Sequence, residues 1–252
     1  MSNMVWKAQE IPQLCPTGIA SEAEVYVKAV KNKIDRIIFL VQRLSASDES
    51  IPTNFESTAL RSSQLEVEIY TESISTNLHS LADILAHVIN VIVLKPLQAE
   101  SEYLVSRQIS IHNIKNKLTA LSSLDVVRSQ YIAEIIKGAD NLIASAEFKY
   151  IAAFVNTIKH RSLLDTEFSF HLKSGILMDI GYRLDPFIYE GCDFPQTPCK
   201  VVVMDYREKV IDLVYDIGNS INNYCRAVRD FEDDSEARSN INNSGEDSHQ
   251  AL

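Results

Sequence analysis

LHSLADILAHVINVIVL, residues 78–94, is the stretch of sequence that decides the fold class. Wound into a helix it is apolar on nearly every side, so we expect it at the centre of a helical bundle. The helix that contains it is predicted to run from about Glu56 to Leu94 and to end at Pro96. Its most apolar run, Ile84 to Leu94, is far shorter than the roughly 20 residues that span a bilayer, so no membrane partner is predicted.

Amphipathic helices are predicted on both sides of this central helix. The first covers about residues 20–44, and Ser21 with Glu24 forms a capping-box pattern at its start. Further helices are predicted over about 101–121, 124–145 and 146–160. Each of them can bury its single apolar stripe only against a neighbour, which predicts one antiparallel bundle.

A β-rich insert follows the bundle helices. Apolar and polar residues alternate between 163 and 172, which is the period of a half-buried strand, and 176–189 is predicted as its hairpin partner. Residues 191–198 contain two prolines and a glycine and are predicted as a loop. A final helix is predicted over about 202–228.

The predicted fold class is therefore mainly α, an antiparallel helical bundle with a small β-hairpin at about 163–190, before the last helix. Residues 20–229 are expected to form this single domain, preceded by an N-terminal extension, 1–19. Residues 230–252 hold seven acidic residues against one basic residue, and a disordered acidic tail is predicted there.

Charge and cysteine content restrict the function classes. The net charge is −10, whereas nucleic-acid binding normally shows as a basic face, and only seven glycines argue against a glycine-rich phosphate loop. The four cysteines occur without a secretory signal at the start of the sequence, so reduced thiols and a cytoplasmic location are expected. The spacing of Cys192 and Cys199 matches no zinc motif, and no cofactor is predicted.

The string FVNTIKHR, residues 154–161, is the most unusual candidate site. Asn156 and His160 are four residues apart, so they share one helical face. One interpretation is structural, since cations at a helix C-terminus stabilise it by about 0.3–1 kcal/mol each. The other is a phosphate or RNA contact, with His160 as acid or base, Lys159 or Arg161 as anion clamp, and Asn156 as orienting group.

A second set of candidates lies on the central helix. His79, Asp83 and His87 follow one another at intervals of four residues and occupy one face. We expect a buried polar network in which Asp83 contacts His79 or His87. Two alternatives remain open: a binding site, with His79 and Asp83, that is shared with the 154–161 string, and a metal site formed by the three side chains.

The string Asn156-x-x-Lys159-His160-Arg161 on a late helix, together with Leu81-Ala82-Asp83-Ile84-Leu85 on a central one, resembles HEPN-type helical proteins, in particular uncharacterised bacterial members. Active HEPN ribonucleases carry an arginine, often followed by asparagine, some four to six residues before a histidine. Asn156 and His160 match that asparagine and histidine. Val155 stands in place of the arginine, and Arg161 follows the histidine instead.

The resemblance implies two functions of different classes. One is a catalytically silent helical module that acts through homodimerisation or through binding of a partner or nucleotide. The other is a metal-independent ribonuclease, or a nucleotide-directed enzyme of defence or toxin type, that uses His160 with Asn156 and Arg161. Paired protomers in such proteins bring their motif helices together, so a homodimer with an RNA- or phosphate-binding cleft is expected.

Overall fold

The computed structural model describes residues 5–48, 57–121, 128–160, 164–173 and 176–246. Over these residues the chain is mainly α-helical with a small β insert before the last helix, which confirms the predicted fold class. The α-helices are α1 (Ile11–Leu14), α2 (Thr17–Asp48), α3 (Ser57–Ile89), α4 (Ile111–Leu121), α5 (Ser129–Ala144), α6 (Ala146–His160) and α7 (Arg207–Glu246).

Two compact units stand where the sequence predicts one domain over 20–229. The described residues of 1–27, 86–139 and 215–252 form unit 1, and those of 28–85 and 140–214 form unit 2. The four chain boundaries between the units fall inside α2, α3, α5 and α7. All four boundaries therefore lie within continuous helices rather than in linkers, which is why the sequence does not predict the division.

The central apolar segment is buried, as predicted. α3 ends at Ile89 and continues as a wider π-helical turn, Asn90–Leu94, and then as a 3-10 turn, Lys95–Leu97, that contains Pro96. Fully buried side chains follow its length: Leu78, Leu81, Leu85, Ile89 and Leu94. One described helical stretch, Leu60–Leu97, passes a length-and-composition test for a membrane span, but 61 % of its most apolar window is buried inside the structure, as in a core helix.

Three helix starts differ from the predictions. α2 begins at Thr17, so the capping-box pair of Ser21 and Glu24 lies inside the helix; the Ala20 N–H donates to the Pro16 carbonyl instead, at 3.2 Å. Residues 100–102 and 106–108 form isolated 3-10 turns, and α4 begins only at Ile111. α5 begins at Ser129 rather than near 124; residues 122–127 lie outside the described part of the chain.

Ser145 separates α5 from α6. Its hydroxyl donates to the Leu142 carbonyl at 3.0 Å and accepts from the Phe148 N–H at 3.2 Å. A serine oxygen that accepts from the third residue of the next helix is a typical N-cap. The cap starts α6 at Ala146, and α6 covers the residues predicted for it, Ala146–His160.

The β insert belongs to unit 2 and lies against α3. Strands β1 (Thr166–Lys173) and β2 (Ile176–Leu184) pair antiparallel, with Phe168 opposite Tyr182. The Gln64 side chain donates to the Thr166 carbonyl at 2.7 Å, and the Thr166 hydroxyl donates to Glu68 Oε1 at 2.8 Å. The predicted hairpin is thus confirmed, and these bonds hold its first strand to α3.

The second half of the insert is more divided than predicted. Asp185 and Pro186 end β2, since proline has no N–H for a sheet hydrogen bond. Short strands follow as β3 (Phe187–Tyr189), β4 (Cys192–Phe194) and β5 (Thr197–Pro198), where the sequence predicts the end of one strand and a loop. Glu190 and Gly191 both have positive φ, at 49° and 78°, as a two-residue hairpin turn requires.

The last helix also extends beyond its prediction. A π-helical turn, Val201–Tyr206, leads into α7, which continues to Glu246 through most of the segment predicted to be a disordered tail from residue 230. The segment contains some residues of good helix propensity, such as Glu236 and Ala237, beside a larger number of Ser, Asn and Asp residues of lower propensity, and its composition alone does not predict the helix. Residues 247–252 lie outside the described ranges.

The N-terminal extension is a folded part of unit 1. The Trp6 indole N–H donates to Asn222 Oδ1 at 3.0 Å, and the Asn222 side-chain amide donates to the Lys7 carbonyl at 3.1 Å. Glu10 pairs with Arg226. A Cβ atom on Gly218 would overlap the Trp6 ring, so glycine is what allows the indole to lie on α7. We call residues 6–15 the N-terminal strap.

Candidate functional site

Helix α6 presents two faces that differ in polarity. Its buried residues are Phe148, Tyr150, Ile151, Ala153, Phe154, Val155 and Thr157. Asn156 is half-buried, whereas Lys159 and His160 are exposed at the last turn. Lys159, His160 and part of Asn156 are therefore accessible to solvent. The predicted third member, Arg161, lies outside the described residues.

Lys33 of α2 lies close enough to two other cations of unit 2 to be repelled by both. The pKa of Lys33 is lowered, first by burial and then by repulsion from Arg36 and Lys159. Repulsion of this kind requires that the positive charges lie close enough to feel each other. We call Lys33, Arg36 and Lys159 the cation cluster; it joins α2 to the exposed end of α6.

Asn77 on α3 holds one member of this cluster in place. The Lys33 ammonium donates to Asn77 Oδ1 at 3.0 Å. The Asn77 amide nitrogen donates in turn to the Ser73 carbonyl at 2.7 Å, which fixes the oxygen toward the lysine. Ser80 donates to the Asn77 carbonyl at 2.9 Å. Lys33 is therefore a positioned, half-buried charge rather than a freely moving surface lysine.

His79 lies between the cluster and the core. Its ring stacks on Phe148 of α6, with centroids 6.1 Å apart and planes within 7°. Burial lowers the pKa of His79; the negative charge of Asp83 raises it, and the positive charge of Lys159 lowers it further. The net result is a neutral imidazole at neutral pH, able to accept a hydrogen bond.

The predicted buried network around Asp83 is wrong. Asp83 is exposed, and its carboxylate acts on His79 electrostatically from the surface. His87 belongs to unit 1, where its ring stacks on Tyr26 with centroids 4.7 Å apart. Among the described residues, no group of three or more His, Cys, Asp or Glu is arranged so that it could hold a metal ion.

Two members of the cation cluster are not predicted from the sequence. Lys33 and Arg36 lie on the first predicted helix, beside its apolar stripe rather than within it. Their available signal was the spacing of three, which puts both on one helical face. Their position near the end of α6 depends on tertiary packing, which the sequence of one helix does not reveal.

We expect the free energy of unfolding of the wild-type protein to fall more steeply with acid than that of a His79→Phe variant. The folded pKa of His79 lies below its ordinary 6.5. As the pH falls below that ordinary value, His79 binds a proton in the unfolded chain but not yet in the folded protein. The free energy of unfolding therefore decreases with falling pH until the pH passes the folded pKa. Phenylalanine keeps the stacking on Phe148 and binds no proton.

Urea denaturation of both proteins at about pH 5, 6 and 8 measures this difference. The difference in unfolding free energy between the two proteins should be constant above about pH 7 and should shift in favour of the variant at about pH 5. Parallel pH profiles would show that His79 titrates in the folded protein as it does in the unfolded chain.

Comparison with known proteins gives no match: no protein-family model, no curated protein and no solved structure is similar to this chain at a significant level. The side chains of unit 2 are therefore the basis for inferring a function.

Proposed function

We propose that this chain is a HEPN-like helical module that binds a phosphate-containing ligand, RNA or a nucleotide, at the cation cluster. The observation that carries the proposal is that Arg36 and Lys159 both repel the positioned Lys33 ammonium, in a protein whose net charge is −10. Like charges gathered in one place raise the free energy of the folded state, and a bound anion relieves that cost.

The neighbouring polar groups suit such a ligand. Asn156 and His160 share the exposed side of the last turns of α6 with Lys159. An amide and an imidazole can donate hydrogen bonds to phosphate oxygens. Lys33 is already held by Asn77, so its ammonium group would lose little conformational freedom on binding. Arg161, next in the chain, extends the proposed anion clamp.

We propose further that the module is a homodimer in the cytoplasm. The end of α6 is exposed in the single chain, so a second copy meeting it would bring two cation clusters to one cleft. Two clusters that face each other focus positive potential on a polyanion more strongly than one.

A metal-independent ribonuclease is the second candidate, favoured by the pairing of Asn156 and His160 at an interval of four residues on an exposed helix end. An exposed imidazole can transfer a proton to or from a ribose hydroxyl, and adjacent cations stabilise the charge that develops on the phosphate.

Fluorescence anisotropy with a labelled single-stranded RNA tests the binding proposal. We expect Arg36→Glu with Lys159→Glu to weaken binding about tenfold or more at low salt, and to reduce the salt dependence of what remains. Both side chains are exposed, so the fold should survive. The matched control is Lys28→Glu with Lys209→Glu, which changes the net charge equally at two exposed lysines outside the cluster.

Equal loss of affinity in the two double variants would contradict a defined site.

Incubation of the same RNA with the wild type and with His160→Ala separates the two candidates. Cleavage by the wild type that His160→Ala abolishes supports the ribonuclease; retained binding without cleavage supports the silent module. Elution as a strict monomer at micromolar concentration would contradict the homodimer.

A further inference from the structure

Two cysteines that are far apart in the sequence meet in unit 1. The sulfur atoms of Cys15 and Cys225 lie 3.9 Å apart. Cys15 follows α1 at the end of the N-terminal strap, and Cys225 is buried on α7. The other two cysteines, exposed Cys192 and buried Cys199, lie in unit 2.

The contacts of the strap hold this pair together. Trp6 and Glu10 of the strap contact Asn222 and Arg226 of α7. These α7 residues lie within one turn of Cys225 along the helix, so the same face that receives the strap also receives the Cys15 thiol. The approach of the two sulfurs is thus fixed by several independent contacts.

The two thiols have different surroundings. The hydrogen bond from Cys225 lowers the pKa of Cys15, with partial burial acting in the opposite direction. The same hydrogen bond and deeper burial raise the pKa of Cys225. Since the thiolate is the reactive form of cysteine, Cys15 is the nucleophile of the pair and Cys225 is the thiol that remains protonated.

A cavity of about 60 Å³ is lined by both cysteines. Leu14, Pro16 and Ile19 line it from the N-terminal side, and Val228 lines it from α7. A space of this size admits a molecule as small as hydrogen peroxide, which exceeds a water molecule by one oxygen atom.

We propose that Cys15 and Cys225 are a redox-modification site that hydrogen peroxide closes into an intramolecular disulfide. The Cys15 thiolate attacks one peroxide oxygen, the O–O bond breaks, and hydroxide leaves, so Cys15 becomes a sulfenic acid. The Cys225 sulfur then attacks the Cys15 sulfur; the S–S bond forms, the S–O bond breaks, and the oxygen leaves as water with the Cys225 proton. In sum, two thiols are oxidised and one peroxide is reduced to two waters.

The disulfide fastens the strap to α7 covalently. It closes a loop from residue 15 to residue 225, and a cross-link across so long a loop removes much conformational freedom from the unfolded chain. The reduced and oxidised forms therefore differ in resistance to unfolding and in the freedom of the N-terminus.

Treatment of the reduced, full-length protein with hydrogen peroxide, followed by alkylation and mass spectrometry, tests the proposal. We expect an intact mass lower by about 2 Da, a cross-linked peptide pair containing Cys15 and Cys225, and alkylation of Cys192 as before. The melting temperature should rise by about 5–10 °C and return on reduction.

Cys15→Ser and Cys225→Ala should each abolish the cross-link and the rise in melting temperature, whereas Cys192→Ser should preserve both. In Cys225→Ala, Cys15 should accumulate as a sulfenic acid that dimedone traps, which keeps the test valid if the buried substitution lowers stability. Oxidation of Cys192 alone, or full alkylation of Cys15 and Cys225 after peroxide treatment, would overturn the proposal.

Discussion

Replacing Trp6 with alanine is expected to lower the free energy of unfolding by about 3–5 kcal/mol, the usual cost of emptying a buried tryptophan site. Only 5 % of Trp6 is exposed, although it lies six residues from the start of the sequence. Its ring lies on Gly218, and its N–H satisfies Asn222, so the substitution leaves both an empty space and an unpaired buried amide oxygen.

Urea denaturation followed by circular dichroism measures the change, because Trp6 is the one tryptophan of the sequence and its fluorescence disappears in the variant. Val5→Ala is the matched control: Val5 is the neighbouring residue and is 64 % exposed, so its truncation should change stability by no more than about 0.5 kcal/mol. Gly218→Val should resemble Trp6→Ala, since its side chain displaces the ring. A loss below about 1 kcal/mol for Trp6→Ala would contradict an anchored strap.

Phe154→Ala is the second substitution expected to have a large effect, again about 3–5 kcal/mol. Phe154 is fully buried, and its ring lies 6.3 Å from that of Phe187 in β3. That ring stacks on Phe194 and meets the edge of Tyr150, so an aromatic cluster joins α6 to the β3–β4 hairpin. Phe154 is the largest fully buried side chain of α6, so its truncation leaves a large empty space in the core.

Phe170→Ala removes the same atoms at a site that is 65 % exposed and serves as the control. We expect it to change stability by no more than about 0.5 kcal/mol, as measured by urea denaturation of both variants. Similar losses for the two variants would contradict the assignment of α6 to a buried face and an exposed face.

Periodicity was sufficient to predict the parts of the fold that local sequence determines. Residues 78–94 are apolar on nearly every side, and burial of most of that segment follows directly. The alternation that begins near Thr166 predicts β1, because a strand with one buried face requires it. Helix starts are less predictable. Ser21 is a residue type that often caps helices, yet the carbonyl that accepts the first hydrogen bonds of α2 belongs to Pro16.

Tertiary contacts decided what periodicity did not. Asp83 shares a helical face with His79, but spacing does not reveal that solvent rather than protein covers the aspartate. The candidate site shows the same limit. Asn156, Lys159 and His160 were visible as an unusual string at a helix end, whereas Lys33 becomes part of the site only because Asn77 of another helix holds it.

Unit 1 of this protein can be completed only after the last helix has been synthesised, because the strap packs on α7. Trp6 and its partner Asn222 are 216 residues apart, and unit 1 contains both early and late segments of the chain. At the usual rate of synthesis, about 5–20 residues per second, the strap waits roughly 10–40 s for α7 to be made. During that interval the Trp6 indole and the Cys15 thiol are unshielded, so a nascent chain is most exposed to aggregation and oxidation before its last helix emerges.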